Sequence, residues 1–283
     1  MNYLHAFHAG NFADVHKHVV LLALLQHLQK KPKPFFVLDT HAGRGYYDLK
    51  TEEARRGGEW QAGIGRLFAK RDELAERAPE IANYLRAVKH AQSHASEELR
   101  RYPGSPILIA SALRANDRAT FVERRADEAK RLKAEFHGRR HIAVFAEDGY
   151  ASMKAQLPPH ENRGLVLIDP PFEATDEFDR VADALTFGLK RWSNGIFCVW
   201  YPIKAGSARQ KFKQRLRHSG LKKLLALELS VRPEDSPLGL NGSGLLLANP
   251  PFQLDVRMHA ALPQLHSAIA TDGGIRVEWL AEE

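Results

Sequence analysis

Leu165-Val166-Leu167-Ile168-Asp169-Pro170-Pro171-Phe172 decides the reading of this chain. Four apolar residues run into an acid, two prolines and an aromatic. A short uninterrupted apolar run is the pattern of a parallel strand buried on both faces. The prolines then stop the strand, because each fixes φ and neither carries an N–H. Asp169 is thereby held at a strand's C-terminal tip, with the Pro170 carbonyl free to accept a hydrogen bond and the Phe172 ring beside it. Such a corner suits a flat, amino-bearing ring: two acceptors for an exocyclic NH2 and a surface to stack on.

Further strand signals lie on either side, at 35–39, 119–123, 142–146 and 196–201. Helical stretches separate them, among them 127–136 and 178–192. Strands alternating with helices predict an α/β fold with a parallel, doubly wound sheet. Two closing strands, 224–229 and 245–249, are joined by a short stretch with a glycine-rich loop at 237–244. That connection predicts an antiparallel pair and a mostly parallel sheet of seven strands. Asn11 can cap a first helix running to about Lys31, ended by Pro32 and Pro34. Between 49 and 101 charged residues and alanines dominate, with helical spacing at Ile81, Leu85 and Val88. This predicts a helical insertion (49–101) between a first core segment (1–48) and the remainder of the core (102–283).

The 283 residues carry a net charge of +7, which favours a polyanionic partner. Clusters at 209–223 and on the insertion are candidates for phosphate contacts. The single cysteine, Cys198, excludes an intrachain disulfide and a cysteine-based zinc site. It points to a reducing compartment, the cytoplasm. No signal peptide and no membrane span are evident, and the scattered histidines show no metal-ligand spacing.

In open α/β sheets, ligands sit outside the C-terminal ends of the strands. Acids stand at or beside four consecutive predicted tips: Asp39, Glu123, Asp148 and Asp169. A carboxylate after the second strand, Glu123, can accept from both ribose hydroxyls of a nucleoside cofactor. It follows Asp39 by 84 positions, where about 20 residues separate the glycine turn from its acid in a plain nucleotide-binding unit; the insertion accounts for the excess. Asp148 can receive an adenine amino group. The turn Asp39-Thr40-His41-Ala42-Gly43-Arg44-Gly45 is not the dinucleotide fingerprint, and its acid would repel a pyrophosphate. A cofactor with a positive centre and an amino-acid tail fits better, and S-adenosylmethionine (SAM) has both. Asn249-Pro250-Pro251-Phe252 repeats the amino-group holder. It follows an antiparallel strand, whose end emerges on the opposite edge of the sheet, so its expected role is structural.

With these residues in view, the chain resembles the SAM-dependent N6-adenine methyltransferases, and more closely the ribosomal RNA large subunit methyltransferase J (RlmJ) family. The matching pieces are Tyr3 to Asn11, Ala13-Asp14-Val15-His16-Lys17-His18, Leu38 to Gly43, Tyr102-Pro103-Gly104-Ser105-Pro106, Leu167 to Pro171 and Trp200-Tyr201-Pro202. The resemblance implies a Rossmann-like class I SAM-dependent methyltransferase fold with a helical insertion. It implies methylation of one adenine of 23S rRNA at N6, adenine 2030, by a cytoplasmic monomer with no metal. It places SAM contacts on His18, His41, Ser105, Glu123, Asp148 with Gly149, and Asp169 as the catalytic residue, with Lys17 beside them. Tyr3, Pro170 and Phe172 fall on the substrate side. Relatives usually carry tyrosine at Phe172, which keeps stacking and loses a phenolic hydrogen bond, and often arginine at Leu4. On the residues alone His18 reads as a core-edge histidine, His41 and Ser105 as turn formers and Tyr3 as a terminal residue; the resemblance turns these four toward function. Two rivals remain: a DNA N6-adenine methyltransferase using the same site, and a non-catalytic RNA-binding or ribosome-assembly module.

Overall fold

A computed structural model describes residues 4–92 and 98–282. Ten strands are formed among these residues: β1 (Phe36–Asp39), β2 (Tyr46–Asp48), β3 (Arg101–Pro103), β4 (Arg118–Val122), β5 (Ile142–Phe145), β6 (Gly164–Ile168), β7 (Ile196–Ile203), β8 (Leu224–Ser230), β9 (Gly242–Ala248) and β10 (Gly274–Ala281). The helices are α1 (Phe12–Gln29), α2 (Glu52–Gly57), α3 (Arg66–Ala69), α4 (Arg71–Arg77), α5 (Pro79–His90), α6 (Ser105–Ala112), α7 (Ala126–Glu135), α8 (Gly149–Gln156), α9 (Glu177–Arg191), α10 (Ala208–Arg217) and α11 (Leu254–Ile269).

Eight strands form one sheet in the order β10-β8-β9-β7-β6-β1-β4-β5. From β7 to β5 every neighbouring pair is parallel, whereas β9 runs antiparallel to both β7 and β8. This is the mostly parallel, Rossmann-like α/β arrangement expected from the sequence. The expected count of seven strands is corrected to eight by β10, which pairs antiparallel with β8 at the sheet edge. Ile275, Val277 and Trp279 alternate with Arg276 and Glu278 there, so the segment lacks the unbroken apolar run of the interior strands. An edge strand covered on one side needs no such run.

Successive strand residues point to opposite faces, and the core divides accordingly. Val37, Phe121, Leu165, Leu167 and Leu247 pack with α1, α5, α6 and α11. Phe36, Leu38, Val166, Ile168 and Phe197 pack with α8, α9 and α10. Asn11 caps α1 by accepting from the Asp14 N–H at 2.9 Å. The helix is buried all round from Ala13 to Leu25, because the sheet lies against one side and α5, α6 and α11 against others. The short antiparallel ribbon β2–β3 closes the base of the 49–101 segment. No helix among the described residues is long and apolar enough to cross a membrane.

Candidate functional site

Because β6, β1, β4 and β5 are parallel neighbours, their acids stand in a row at one end of the sheet: Asp169, Asp39, Glu123 and Asp148. Adjacent strands lie about 4.8 Å apart, so the row spans about 14 Å. Above it opens a cleft of about 780 Å³. Its wall includes Lys17, His18, His41, Ser105, Glu123, Asp148, Gly149, Asp169, Pro170 and Phe172. Every expected site residue within the described chain therefore meets in one place. Tyr3 lies outside the described residues.

Asp169 caps β6 and is half-buried. One carboxylate oxygen, Oδ2, accepts from the Lys17 ammonium. Oδ1 accepts no protein hydrogen bond among the described residues. Lys17 also donates to Asp14 Oδ1 at 2.8 Å, three residues back on α1. Burial works against the Lys17 charge, but Asp14 and Asp169 outweigh it and hold the ammonium well above the usual lysine range. Burial likewise works against ionised Asp14, yet the facing His5 and Lys17 charges hold it well below the usual carboxylate range. Asp14 Oδ2 further accepts from the Gly10 N–H and pairs with His5 Nε2, both at 2.9 Å. An Asp14–Lys17–Asp169 triad thus joins the N-terminal turn to the strand tip.

Two prolines force the backbone after Asp169 into a corner, and Phe172 takes the left-handed φ of +50°, uncommon for a bulky side chain. Its ring packs on Phe178 at 4.8 Å and stands edge-on to Trp200 at 5.6 Å. The Trp200 Nε1–H is tied to Ser243 Oγ at 3.0 Å, so the indole is fixed.

The other half of the cleft is built from the turns after β1, β4 and β5. Asp39 is fully buried beneath it, accepting from Ser105 Oγ at 2.7 Å and the His41 N–H at 3.2 Å. Burial pushes its carboxyl up to about 7. Thr40 donates to the Leu167 carbonyl at 3.0 Å, so its oxygen must accept from His41 Nδ1 at 2.8 Å. The network therefore leaves His41 Nε2 as a bare acceptor. Loss of solvent pushes His41 down to about 4 and His18 to about 3, which keeps both neutral. His18 pairs through Nδ1 with the Tyr102 hydroxyl at 2.8 Å and stacks on that ring.

Glu123 accepts the Gly43 N–H at 2.9 Å and the Arg125 N–H at 2.7 Å, one on each oxygen. Burial raises its pKa. Gly43 is required at this turn, with φ +64° and the Tyr47 hydroxyl 2.2 Å from where a Cβ would stand. Asp148 caps α8, its Oδ1 accepting from the Tyr150 and Ala151 N–H groups at 3.0 Å. Its Oδ2 faces Arg180 and Arg124 at 3.7 and 3.9 Å. Gly149 lets α8 start hard against β1: a Cβ would lie 2.1 Å from the Thr40 carbonyl oxygen.

Asp14, Trp200, Tyr150 and Lys204 also line the cleft; Asp14 and Trp200 entered the sequence reading only as parts of matching stretches, with no role assigned, and the other two not at all. Asp14 and Lys17 carry one signal, opposite charges at i,i+3 on a helix. Four of the seven Lys and Arg residues in 209–223 are already engaged by acids of the chain itself, two of them buried. Arg209 and Lys213 are buried and pair with Glu228, Glu234 and Glu278. Arg215 pairs with Asp179 and Asp183, and Arg217 with Glu278. The side of α10 that carries the first two packs on the sheet, where acids on β8 and β10 neutralise it. Asn249, heading the second Pro-Pro-Phe, lies at the opposite end of the sheet. Its Nδ2 donates to the Ser193 and Gly195 carbonyls at 2.8 and 2.9 Å, pinning the start of β7.

Residues 32–281 match the family described as ribosomal RNA large subunit methyltransferase D, RlmJ. The chain is 40% identical over 285 aligned residues to the ribosomal RNA large subunit methyltransferase J of Haemophilus influenzae. It is 38% identical to the protein of the same name from Escherichia coli K12, and both matches cover all of each chain. A crystal structure of a protein from Legionella pneumophila is 32% identical. It covers 96% of this chain and 98% of its own, with a TM-score of 0.88. By sequence over its full length and by fold, the chain belongs to the RlmJ family of ribosomal RNA large subunit methyltransferases.

Proposed function

We propose that this chain transfers a methyl group from SAM to N6 of one adenine in 23S rRNA. The observation that carries the reading is the shared cleft: the Asp169–Pro170 corner opens onto the same space as His41, Ser105, Glu123, Asp148 and Gly149. The residues fit the donor. A row of acids suits a positive sulfonium. Each Glu123 oxygen keeps a lone pair beyond its backbone bond for a ribose hydroxyl. Asp148 Oδ2 is unused by the helix cap, and the absent side chain at Gly149 leaves backbone at the wall. His18, His41, Ser105 and Lys17 would complete this half, and Tyr3, Pro170 and Phe172 would face the base.

SAM supplies an electrophilic methyl group when bound. Adenine N6 is a poor nucleophile because its lone pair is delocalised into the ring. Hydrogen bonds from the amino group to Asp169 Oδ1 and the Pro170 carbonyl would localise that pair and stabilise the charge that develops on nitrogen. Lys17 supports this by fixing Oδ2, so the carboxylate cannot rotate away. Asp169 and Pro170 would hold N6 toward the methyl carbon; transfer would leave the demethylated thioether, and the proton of the methylated amine would pass to water. Phe172 and Trp200 align the ring.

The reading keeps 49–101 as an insertion that backs the cleft, and places a monomer in the cytoplasm with the rRNA. It is tested by incubating the protein with labelled SAM and unmodified 23S rRNA, with a DNA arm in parallel, and mapping N6-methyladenosine. One labelled adenine in RNA is expected. Label in DNA alone, or none, overturns it.

A further inference from the structure

The loop 231–241 joins β8 to β9 at the cleft end of the sheet, and hydrogen bonds anchor its base. Asn241, fully buried, donates to the Ser236 carbonyl at 2.7 Å and the Glu234 carbonyl at 3.3 Å. Its N–H donates to the Ile203 carbonyl at 2.8 Å, and it accepts the Val231 N–H at 2.9 Å. Glu234 is clamped by both terminal nitrogens of buried Arg209. The tip of this anchored loop is Leu238, 73% exposed. The next two residues, Gly239 and Leu240, line the cleft. Gly239 has φ +98°, and that bend separates the outward Leu238 from the inward Leu240.

Single exposed leucines are ordinary. One held out on an anchored loop at the rim of a binding cleft is less so. Lys204, on the residue after the Ile203 that anchors Asn241, also lines the cleft. It is exposed and carries no ion pair among the described residues. The rim on the Asp169 side therefore offers an apolar point beside an uncompensated cation.

We propose that Leu238 is a wedge that enters the RNA stack as the target adenine leaves it, with Lys204 holding the adjoining phosphate. This rests on the methyl-transfer reading above and extends it to the step that delivers the base. A base inside a helix cannot reach N6 to Asp169 without rotating out, and that rotation leaves a gap between its neighbours. Proteins that unstack bases fill such gaps with apolar side chains. A phosphate contact at Lys204 would fix the strand while this happens.

The test uses the full chain and two RNA duplexes, one with the target adenine paired and one with it opposite an abasic position. Each is prepared with adenine or with 2-aminopurine at the target, the latter brightening when unstacked. Leu238→Ala is compared with Leu238→Phe, which restores an apolar wedge. The expected result is that Leu238→Ala lowers the ratio of paired to abasic methylation rates by roughly tenfold and abolishes the brightening on paired RNA. Leu238→Phe keeps most of both, and SAM affinity does not move. An unchanged ratio overturns the wedge, whether the two rates fall together or neither falls. If the wild-type chain methylates neither RNA, the methyl-transfer reading itself fails; wild-type activity with an unchanged ratio rejects the wedge alone.

Discussion

Replacing Lys17 with methionine removes the cation shared by Asp14 and Asp169 while keeping most of the side-chain volume. Asp14 is only 2% exposed, so its charge stays buried with less to offset it. Breaking a buried pair costs about 3–5 kcal/mol. Two features put the cost near the lower figure. Asp14 retains His5 and the Gly10 N–H, and the Asp169 side chain is 15% exposed and open to water. About 3 kcal/mol in a chain of this size lowers Tm by roughly 5 °C. The pH dependence identifies the cause. In the wild type the folded-state pKa of Asp14 is depressed. Its contribution is present above the unfolded value of about 3.9 and is lost as pH falls through the folded one. The Lys17 pKa is raised, so its contribution is complete below about 10.4 and is lost as pH rises through the folded value. The triad therefore stabilises the fold from about pH 4 to pH 10. In Lys17→Met the penalty comes from ionised Asp14 and disappears when it protonates. Differential scanning calorimetry at several pH values should show the gap to wild type largest at neutral pH, narrowing as pH falls through the Asp14 pKa of the variant, and closing only below about pH 4, where the wild-type carboxylate protonates as well. Adding Asp14→Asn should recover part of the loss. A neutral-pH Tm within about 2 °C of wild type refutes the reasoning, as does a gap that ignores pH.

Three other outcomes follow from the same geometry. Burial raises the Asp39 carboxyl to about 7, so a penalty builds between the unfolded pKa and 7 and stays constant above. Asp39→Asn, which keeps an acceptor for Ser105, should be more stable than wild type at pH 8, on the order of 2–4 kcal/mol, with the advantage vanishing by about pH 4; equal melting at pH 8 counts against it. Glu123→Gln turns one acceptor into a donor facing the Gly43 or Arg125 N–H, and should weaken SAM binding by roughly tenfold or more in a calorimetric titration. Asn249→Ala loses two hydrogen bonds and sits at φ +52°; it should cost about 2–3 kcal/mol in urea unfolding while leaving methyl transfer intact, and lost transfer in a folded variant would return the second proline pair to the site.

The strands that build the row of acids were legible because interior parallel strands are uninterrupted apolar runs, and the prolines after Asp169 marked where one stops. β10 was not, since an edge strand mixes charges with apolar residues and gives no such run. The Asp14–Lys17–Asp169 triad was half legible. The helical spacing of Asp14 and Lys17 can be read locally, but their meeting with Asp169 depends on how α1 crosses the sheet. The 209–223 cluster was only partly legible for a related reason. Four of its basic residues look free along the chain, and the acids that neutralise them come from β8, β10, the loop after β8 and α9. Trp200 gave no local signal either; it matters because β7 is the parallel neighbour of β6.

The role of Asp169 is tested most directly by single-turnover methyl transfer with Asp169→Asn, which keeps the shape and one acceptor but not the charge. Transfer to 23S rRNA should slow by about 100-fold or more, while SAM affinity stays within about threefold of wild type. Transfer at near wild-type rate by that variant, with SAM bound, would contradict the assignment of Asp169 as the group that receives the adenine amine.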